Sequence, residues 1–419
     1  MKNFKRCVAL CLGLSFAASF AACDGTSGSS TSGGDGGGEI IYDDVLNDRL
    51  KPIWDDGGIA VNETVFVLQE KDGTIAPFTL AYPIDEIISV KSFSLENEYA
   101  DIIDYTVSDG KLIVKENGNI PSLEYSGFYH DRYVAGDDMW PNASGEGGQM
   151  KTEAQYTGGV NNLGLTEWQI AVTYKHSATW QGGIPADKSE KFTILNQKLS
   201  RGEAVNVVCL GDSISAGWTA SGYEYVFLPP YCPPYFDLVT DYMSAKFGNI
   251  NASNFSVGGM TSGWGCDSKQ INDVISKNPD FLIIAFGMND GSNGDGVPVS
   301  VFKNNVKAII DGVRNANPEC EVLLVSTMLP NAEVGYSLGV SILYNQKNYL
   351  TALTALENEY EGVAVADVTT PHEYLLSKKQ FKDMSSNNIN HPNDYVHRLY
   401  AQVCLKAMFG EIDRVEAVE

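Results

Sequence analysis

Hydrophobic and polar positions follow two different patterns along this chain, and the change falls close to residue 199. Between residues 40 and 198, short β-prone runs are separated by turns rich in Gly, Pro, Asn and Asp, which is typical of antiparallel sheets. The predicted strands of this half span residues 64–69, 111–115, 168–174 and 191–195. This pattern predicts an all-β sandwich over residues 40–198.

From residue 199 onward, largely apolar runs alternate with amphipathic stretches. The apolar runs span residues 205–210, 254–257, 281–286, 322–326 and 363–368. Continuous apolar runs are typical of parallel strands that are buried on both faces. Helical spacing of apolar residues occurs between them, as in Phe236, Val239, Met243 and Phe247, and again in Phe302, Val306, Ile309, Ile310 and Val313. We therefore predict a doubly wound, flavodoxin-like α/β/α domain over residues 199–419, with its chemistry at the carboxyl ends of the strands.

The first residues have the features of an export signal. Lys2, Lys5 and Arg6 precede an apolar run, residues 7–20, that is too short to span a bilayer. The run ends in Phe-Ala-Ala-Cys, which resembles the bacterial lipobox, in which the cysteine is lipidated and becomes the mature N-terminus. An ordinary secretory signal would be cleaved at almost the same place, and both interpretations place the product outside the cytoplasm.

A polar tether follows this segment. Residues 24–38 are nearly all Gly, Ser, Thr and Asp, a composition that cannot bury a core. We therefore predict a signal peptide over residues 1–22, a tether over residues 23–39, and an extracytoplasmic protein that a lipid on Cys23 anchors to the bacterial membrane or outer surface.

Charge and cysteine usage narrow the classes of partner. The formal net charge of −24 argues against nucleic acid and anionic membrane surfaces, and favours a neutral substrate such as polysaccharide.

The cysteines of the folded part lack CxxC or zinc-ligand spacing: Cys209, Cys232, Cys266, Cys320 and Cys404. We expect neither a metal site nor a cofactor. A disulfide between Cys232 and Cys266, both in predicted loops, stays an open alternative.

Candidate catalytic groups follow the first three predicted strands of the second half. Ser213, in Gly211-Asp212-Ser213, is a candidate nucleophile whose own amide can help to bind an oxyanion, although a serine here can also cap a helix. The second strand leads to paired glycines at residues 258–259, where a backbone amide can approach a carbonyl oxygen closely. The third leads to Asn289, whose side-chain amide is a further oxyanion donor.

The general base is sought among five histidines. His130 and His176 lie in the β half and His372 lacks an obvious partner, which leaves His391 and His397. His391 is favoured, because Pro392 and Asn393 hold it in a rigid loop ahead of a predicted helix that carries His397.

These pieces occur in the order and setting of the SGNH, or GDSL-type, serine esterases, which the chain resembles over about residues 205–410. The resemblance implies that Ser213 is the nucleophile, that Gly259 and Asn289 join the Ser213 amide as oxyanion donors, and that His391 is the base. It also implies hydrolysis through an acyl-enzyme without a cofactor.

The arrangement of a β domain ahead of such a catalytic domain resembles bacterial carbohydrate esterases with a jelly-roll domain, which remove acetyl groups from plant polysaccharides. By this analogy we expect the substrate to be an O-acetylated polysaccharide. The alternatives are a lipase or lysophospholipase, a peptidoglycan O-acetylesterase, and a surface carbohydrate-binding lipoprotein without catalysis.

One residue departs from the family pattern. An Asp usually stands three residues before the histidine, and this chain has Asn388 there, a neutral amide that cannot stabilise an imidazolium as a carboxylate does. Three options stay open: Asn388 orients the ring, a backbone carbonyl does so in a Ser-His dyad, or Asp383 or Asp394 substitutes. Asp394 also begins a competing Asp-x-x-His match that would make His397 the base.

Two groups of aromatic residues are candidates for binding sugar rings. One lies in the β half and includes Tyr125, Phe128, Tyr129, Tyr133, Trp140, Trp168 and Trp180. The other lies in residues 218–236, directly after the Ser213 turn. Such side chains also fill cores and packed loops, so both interpretations stay open at this point.

Overall fold

Antiparallel strands dominate the N-terminal half of the molecule. The computed structural model describes residues 42–131, 139–141, 149–152, 164–292, 296–337 and 340–415. The first elements are α1 (Tyr42–Leu50), β1 (Ile59–Phe66), β2 (Glu86–Ser92), β3 (Tyr105–Ser108), β4 (Lys111–Val114), α2 (Tyr125–Phe128), β5 (Tyr129–His130), β6 (Met139–Pro141), β7 (Gln149–Lys151) and β8 (Gln169–Lys175). A 3-10 turn, Gly164–Trp168, precedes β8.

Strand β8 is the centre of the main N-terminal sheet. It pairs antiparallel with β1 on one side and with β2 on the other. Strands β3 and β4 form a hairpin, and β7 pairs with both β5 and β6. The prediction of an antiparallel β-rich N-terminal half is thereby confirmed, and β1, β4 and β8 overlap three of its predicted strands.

The predicted strand at residues 191–195 is wrong. A 3-10 turn, Ser189–Lys191, leads there into helix α3 (Thr193–Ser200). Leu195 and Leu199, one helical turn apart, are both buried, and Phe192 packs edge-to-face on Phe281 at 5.0 Å between ring centroids. These tertiary contacts outweigh the β propensity of the short run.

The C-terminal half alternates strands and helices. Its elements are β9 (Val205–Gly211), α4 (Tyr235–Phe247), β10 (Ile250–Asn254), α5 (Ser262–Gly265), α6 (Ser268–Ile275), β11 (Phe281–Ala285), α7 (Met288–Ser292), α8 (Val299–Ala316), β12 (Glu321–Val325), β13 (Gly335–Ser337), β14 (Val340–Ser341), α9 (Gln346–Glu359), β15 (Val363–Ala366), α10 (Thr369–Leu376) and α11 (Asp394–Phe409). A 3-10 turn, Phe381–Asp383, lies between α10 and α11.

Five parallel strands form one sheet in the order β10-β9-β11-β12-β15. This is the flavodoxin-like order, and it confirms the predicted doubly wound fold. In β9, Val207 and Cys209 point into the apolar cluster shared with α4 and α11, whereas Val208 and Leu210 point into the cluster shared with α8 and α9. The alternation places a helical layer on each face of the sheet.

The second strand of this sheet lies a few residues before its predicted position. β10 spans Ile250–Asn254, while the apolar run at residues 254–257 follows it. β10 is an edge strand whose residues are half-buried or exposed, so its sequence lacks the apolar run that a central strand needs.

The N-terminal sheet packs against helix α11. Val65 and Val172 of that sheet belong to the same buried apolar cluster as Val396 and Leu399 of the helix. Arg398 of α11 is also buried, and it donates hydrogen bonds to the Arg49 and Val61 carbonyl oxygens. The described residues of both halves belong to one compact unit. Within the described residues, no helix has the length and apolar character needed to cross a membrane.

Candidate active site

Ser213 lies in the turn that follows the central strand β9. Gly211 ends this strand, and a Cβ there would lie 2.5 Å from the Ala285 carbonyl oxygen, so only a glycine lets β9 approach β11 so closely. The turn continues to residue 219, and helix α4 begins only at Tyr235, so a long loop separates Ser213 from the helix. Ser213 itself is 3% exposed.

The structure brings Ser213 and His391 together. The Ser213 Oγ atom lies 2.7 Å from His391 Nε2, a hydrogen-bond distance, although 178 residues separate them in the chain. Burial lowers the pKa of His391 to about 4, with a smaller contribution from the neighbouring His397. His391 is therefore neutral at neutral pH, as a general base must be.

Asn387, and not Asn388, contacts the His391 ring. Asn387 Nδ2 lies 2.7 Å from His391 Nδ1. The Asn388 side chain donates to the Lys151 carbonyl oxygen at 3.1 Å and accepts from Asn331 at 2.9 Å. The three-residue spacing before the histidine in the family pattern pointed to Asn388. No feature of the sequence indicated Asn387 beyond its being the asparagine next to that position.

The other candidate partners of the histidine have different contacts. The Asp383 carboxylate accepts from the Phe66 and Gln380 amides, and Asp394 accepts from the Ser221 amide and hydroxyl. His397 Nε2 lies 3.1 Å from the Trp218 carbonyl oxygen. It is His391, therefore, that the structure brings within hydrogen-bond distance of Ser213.

Gly259 and Asn289 follow the two strands that flank β9. Gly259 has a φ of +77°, which favours glycine, and the space where a Cβ would stand is open. Asn289 Nδ2 donates one hydrogen to the Met260 carbonyl oxygen at 3.0 Å, which ties the two loops together. Its second amide hydrogen is available for another acceptor. Because β10, β9 and β11 are neighbours, Gly259 and Asn289 lie at the same edge of the sheet as Ser213.

Two buried carboxylates support this edge of the sheet. Asp212 accepts from the Ile214 amide at 3.0 Å, within the turn that carries Ser213, and burial raises its pKa to about 7. Asp290 accepts from the Ser262 amide and hydroxyl, and burial raises its pKa as well. Both residues hold loops in place through backbone amides, a role that the sequence patterns did not indicate.

The loop that carries His391, residues 379–393, is fixed to the N-terminal sheet. Asn393 Nδ2 donates to Thr64 Oγ1 and Gln169 Oε1, both at 2.9 Å, and Gln169 Nε2 donates to the Lys382 and Ser385 carbonyl oxygens at 2.8 Å. Asn393 also accepts from the Val396 amide and so caps helix α11.

A buried ion pair adds to this connection. Lys379 Nζ lies 2.7 Å from Glu63 Oε1, and the two side chains are 0% and 1% exposed. Lys379 also donates to the Thr64 carbonyl oxygen at 2.6 Å. The N-terminal sheet therefore helps to position the candidate base, a role that its sequence did not reveal.

Neither a disulfide nor a cluster of metal ligands occurs within the described part of the chain. The five described cysteines are unpaired, including Cys232 and Cys266, and burial raises the pKa of the Cys232 thiol to about 12. Within the described residues there is no group of three or more His, Cys, Asp or Glu arranged to hold a metal ion.

Exposed aromatic side chains lie in the loop after Ser213. Tyr225, Phe227 and Tyr231 are 71%, 64% and 47% exposed, and the Trp218 ring lies 5.8 Å from the His391 ring. In the β half, Phe128 and Trp180 are buried and belong to the core. Tyr133, the side chain of Trp140 and the predicted lipidation site Cys23 lie outside the described residues.

Comparisons with known proteins show what this part of the chain is similar to. Residues 209–399 match the profile of the GDSL-like lipase/acylhydrolase family. No curated protein matches the chain.

Three solved structures are similar to parts of the chain. A two-domain esterase (CEX) active on acetylated mannans is 20% identical with a TM-score of 0.41, and the match covers 57% of this chain and 58% of that one. Axe2, an acetylxylan esterase from Geobacillus stearothermophilus solved as a catalytic mutant, is 16% identical with a TM-score of 0.41, covering 51% of this chain and 97% of that one. The psychrotrophic esterase EstA from Pseudoalteromonas sp. is 18% identical with a TM-score of 0.34, covering 48% and 96%.

Proposed function

We propose that this protein is a serine esterase that removes short acyl groups, chiefly O-acetyl groups, from polysaccharide, since residues 209–399 match the profile of the GDSL-like lipase/acylhydrolase family. Ser213 is the nucleophile and His391 is the base. The observation that carries the proposal is the 2.7 Å hydrogen bond between Ser213 Oγ and His391 Nε2 at the carboxyl edge of the sheet.

The reaction follows acyl transfer through a covalent intermediate. His391 Nε2 takes the Ser213 Oγ proton while the oxygen attacks the ester carbonyl carbon. The resulting tetrahedral oxyanion accepts hydrogen bonds from the Gly259 and Ser213 amides and from the free Nδ2 hydrogen of Asn289. His391 then gives the proton to the leaving sugar hydroxyl. Water, deprotonated by the same ring, releases the carboxylic acid and restores Ser213.

Each oxyanion donor contributes to the rate because it is in place before charge develops on the carbonyl oxygen. Removing one such donor costs about 2.7–4 kcal/mol of transition-state stabilisation in comparable sites. Asn289 is the donor that mutation can remove, whereas the Gly259 and Ser213 amides belong to the backbone.

The exposed aromatic surface formed by Trp218, Tyr225, Phe227 and Tyr231 supports a polysaccharide substrate. The Trp218 ring lies 5.8 Å from the His391 ring, and the exposed Phe227 and Tyr231 rings of the same loop lie 5.0 Å apart. Flat rings with a polar edge suit sugar rings. The net charge of −24 disfavours an anionic lipid surface as the substrate.

We also propose that the protein is extracytoplasmic and lipid-anchored. The support is the basic start of the chain, its short apolar run and Cys23 in a lipobox-like sequence, followed by the Gly/Ser-rich tether. Labelling of growing cells with a palmitate analogue should mark the wild-type protein and not Cys23→Ser. Labelling of both would refute the anchor.

The nucleophile is tested with a short-chain aryl ester and the purified mature protein. Ser213→Ala should lower kcat by at least about 10³-fold, because the acyl-enzyme can no longer form. Ser256→Ala is the matched control: this serine is half-buried in the next loop and contacts the Cys209 thiol, so its loss should leave kcat unchanged. Equal activity in wild type and Ser213→Ala would refute the proposal.

The substrate class is tested by release of the acyl group from acetylated xylan, acetylated mannan, O-acetylated peptidoglycan and phospholipid. We expect acetate from the plant polysaccharides. The double variant Tyr225→Ala/Phe227→Ala should raise KM for the polymer and leave the small aryl ester unaffected. Val301→Ala, an exposed apolar residue on α8, serves as the control. Preference for phospholipid, or equal KM values in the double variant and wild type, would contradict the polysaccharide assignment.

A further inference from the structure

The orientation of the Asn387 side-chain amide is fixed by the backbone around it. Asn387 Oδ1 accepts hydrogen bonds from the backbone amides of Ile389 at 2.9 Å and of Asn390 and His391 at 3.0 Å each. If the amide were turned over, an NH₂ group would face three N–H donors and all three bonds would be lost. The oxygen therefore lies in the turn, and the nitrogen lies toward the histidine ring.

This orientation determines where the imidazole proton is. Asn387 Nδ2 is only a donor, so at 2.7 Å it requires His391 Nδ1 to be an acceptor. The other Nδ2 hydrogen has its own acceptor, Asn390 Oδ1 at 3.3 Å. A neutral imidazole has one N–H and one acceptor nitrogen, so the proton of His391 is on Nε2. That N–H donates to Ser213 Oγ, which reverses the direction needed for proton transfer.

We propose that Asn387 is a positioning residue that holds His391 in the Nε2–H tautomer and thereby keeps the Ser213–His391 pair in a non-productive proton arrangement at rest. The proposal rests on the function proposed above. The productive state needs the proton on Nδ1 and the lone pair on Nε2. To reach it, His391 must move its proton between the two ring nitrogens, and the Asn387 amide must turn so that its oxygen accepts from Nδ1. This turn gives up the three backbone hydrogen bonds to Oδ1, which is why the resting arrangement is favoured.

Asn388, although it is also an asparagine, does not influence the His391 tautomer. Its side chain is committed to Lys151 and Asn331 and does not contact the ring. A carboxylate at position 388 would therefore not restore a catalytic acid, although the family spacing suggests it. A carboxylate at position 387 would do so: one oxygen can accept the three backbone amides, and the other can accept Nδ1–H and so favour the productive tautomer.

The test is the isosteric variant Asn387→Asp, with Asn388→Asp as the matched control, on an aryl ester whose hydrolysis by wild type has been measured. An amide in place of the triad carboxylate lowers kcat by about 10⁴-fold in serine proteases, through the wrong tautomer, so the reverse change should raise kcat here by at least about tenfold. Asn388→Asp should give no increase. KM should stay the same in both, because neither side chain forms the aromatic surface.

The pH profile separates this role from a merely structural one. A carboxylate next to Nδ1 stabilises the imidazolium, so the acid limb of kcat/KM should move to higher pH in Asn387→Asp and stay in place in Asn388→Asp. His397 is the neighbouring titratable group and is unchanged in both variants.

Nitrogen chemical shifts of the histidine rings report the tautomer of His391 directly, independently of any change in activity. Wild-type protein with ¹⁵N-labelled histidine, assigned by the loss of one ring signal in His391→Gln, should show His391 protonated on Nε2 at neutral pH. Protonation on Nδ1, or an unchanged kcat in folded Asn387→Asp, would overturn the tautomer proposal. If Ser213→Ala keeps wild-type activity, the function proposed above fails instead, so the two failures are distinguishable.

Discussion

Replacing Lys379 with Met should lower the free energy of unfolding by about 3 kcal/mol. The substitution leaves the Glu63 carboxylate without its cation, and both side chains are fully buried. Breaking a buried pair by removing one partner costs about 3–5 kcal/mol, because the remaining charge keeps its desolvation penalty. Glu63 still accepts from the Ala81 amide at 2.9 Å and from the Tyr174 hydroxyl at 2.7 Å, which places the expected cost at the low end of that range.

Urea unfolding measures this loss, with the midpoint shifted and the slope unchanged. The matched control is Lys175→Met, which breaks the Lys175–Glu86 pair at 2.8 Å, with side chains 51% and 62% exposed. Exposed pairs contribute about 0–1 kcal/mol, so this control should shift the midpoint little. Adding Glu63→Gln to Lys379→Met should recover part of the loss. A Lys379→Met protein as stable as the control would refute the reasoning.

Three further predictions concern the site and its supports. The low pKa of His391 predicts that kcat/KM falls with an apparent pKa near 4 as pH decreases, because protonation removes the base. A fall in kcat/KM near the ordinary pKa of histidine would contradict this prediction. Gly211→Ala, whose Cβ would stand 2.5 Å from the Ala285 carbonyl oxygen, should lower stability in urea by about 1–3 kcal/mol, and an unshifted midpoint would exclude the clash. Asn393→Ala, which removes the cap of α11 and leaves buried partners unpaired, should cost about 2–4 kcal/mol and also reduce kcat. Loss of stability with unchanged kcat would show that Asn393 does not position the base.

Much of the sheet could be predicted from the sequence because buried parallel strands need apolar residues on both faces. β9, β11, β12 and β15 satisfy this condition and were found close to their predicted positions. β10 could not be found in this way, since an edge strand has exposed positions. In the same way, local propensity could not reveal α3, whose buried leucines depend on contacts from elsewhere in the chain.

Part of the candidate site could be predicted because the chemistry requires particular residue types, and a nucleophile is expected just after a strand end. Ser213 was selected in this way and His391 by elimination among the five histidines, and the structure brings the two within hydrogen-bond distance. The residue at Nδ1 was not predictable, because Asn387 and Asn388 are chemically identical and only the turn decides which one faces the ring. The contribution of Thr64 and Gln169 depends on long-range contacts that leave no local pattern.

The hydrogen bonds between the N-terminal sheet and the His391 loop also set an order of events during biosynthesis. Thr64 Oγ1 donates to the Asp383 carbonyl oxygen across 319 residues of chain. Strand β1 is therefore made early and must wait for almost the whole polypeptide before this contact can form, and contacts of such long range form slowly. An unfinished chain that stops before residue 379 contains Ser213 and both loops with the proposed oxyanion donors, but it lacks His391, the proposed base. The proposed hydrolytic activity can consequently begin only when synthesis is nearly complete and the N-terminal sheet has met the His391 loop.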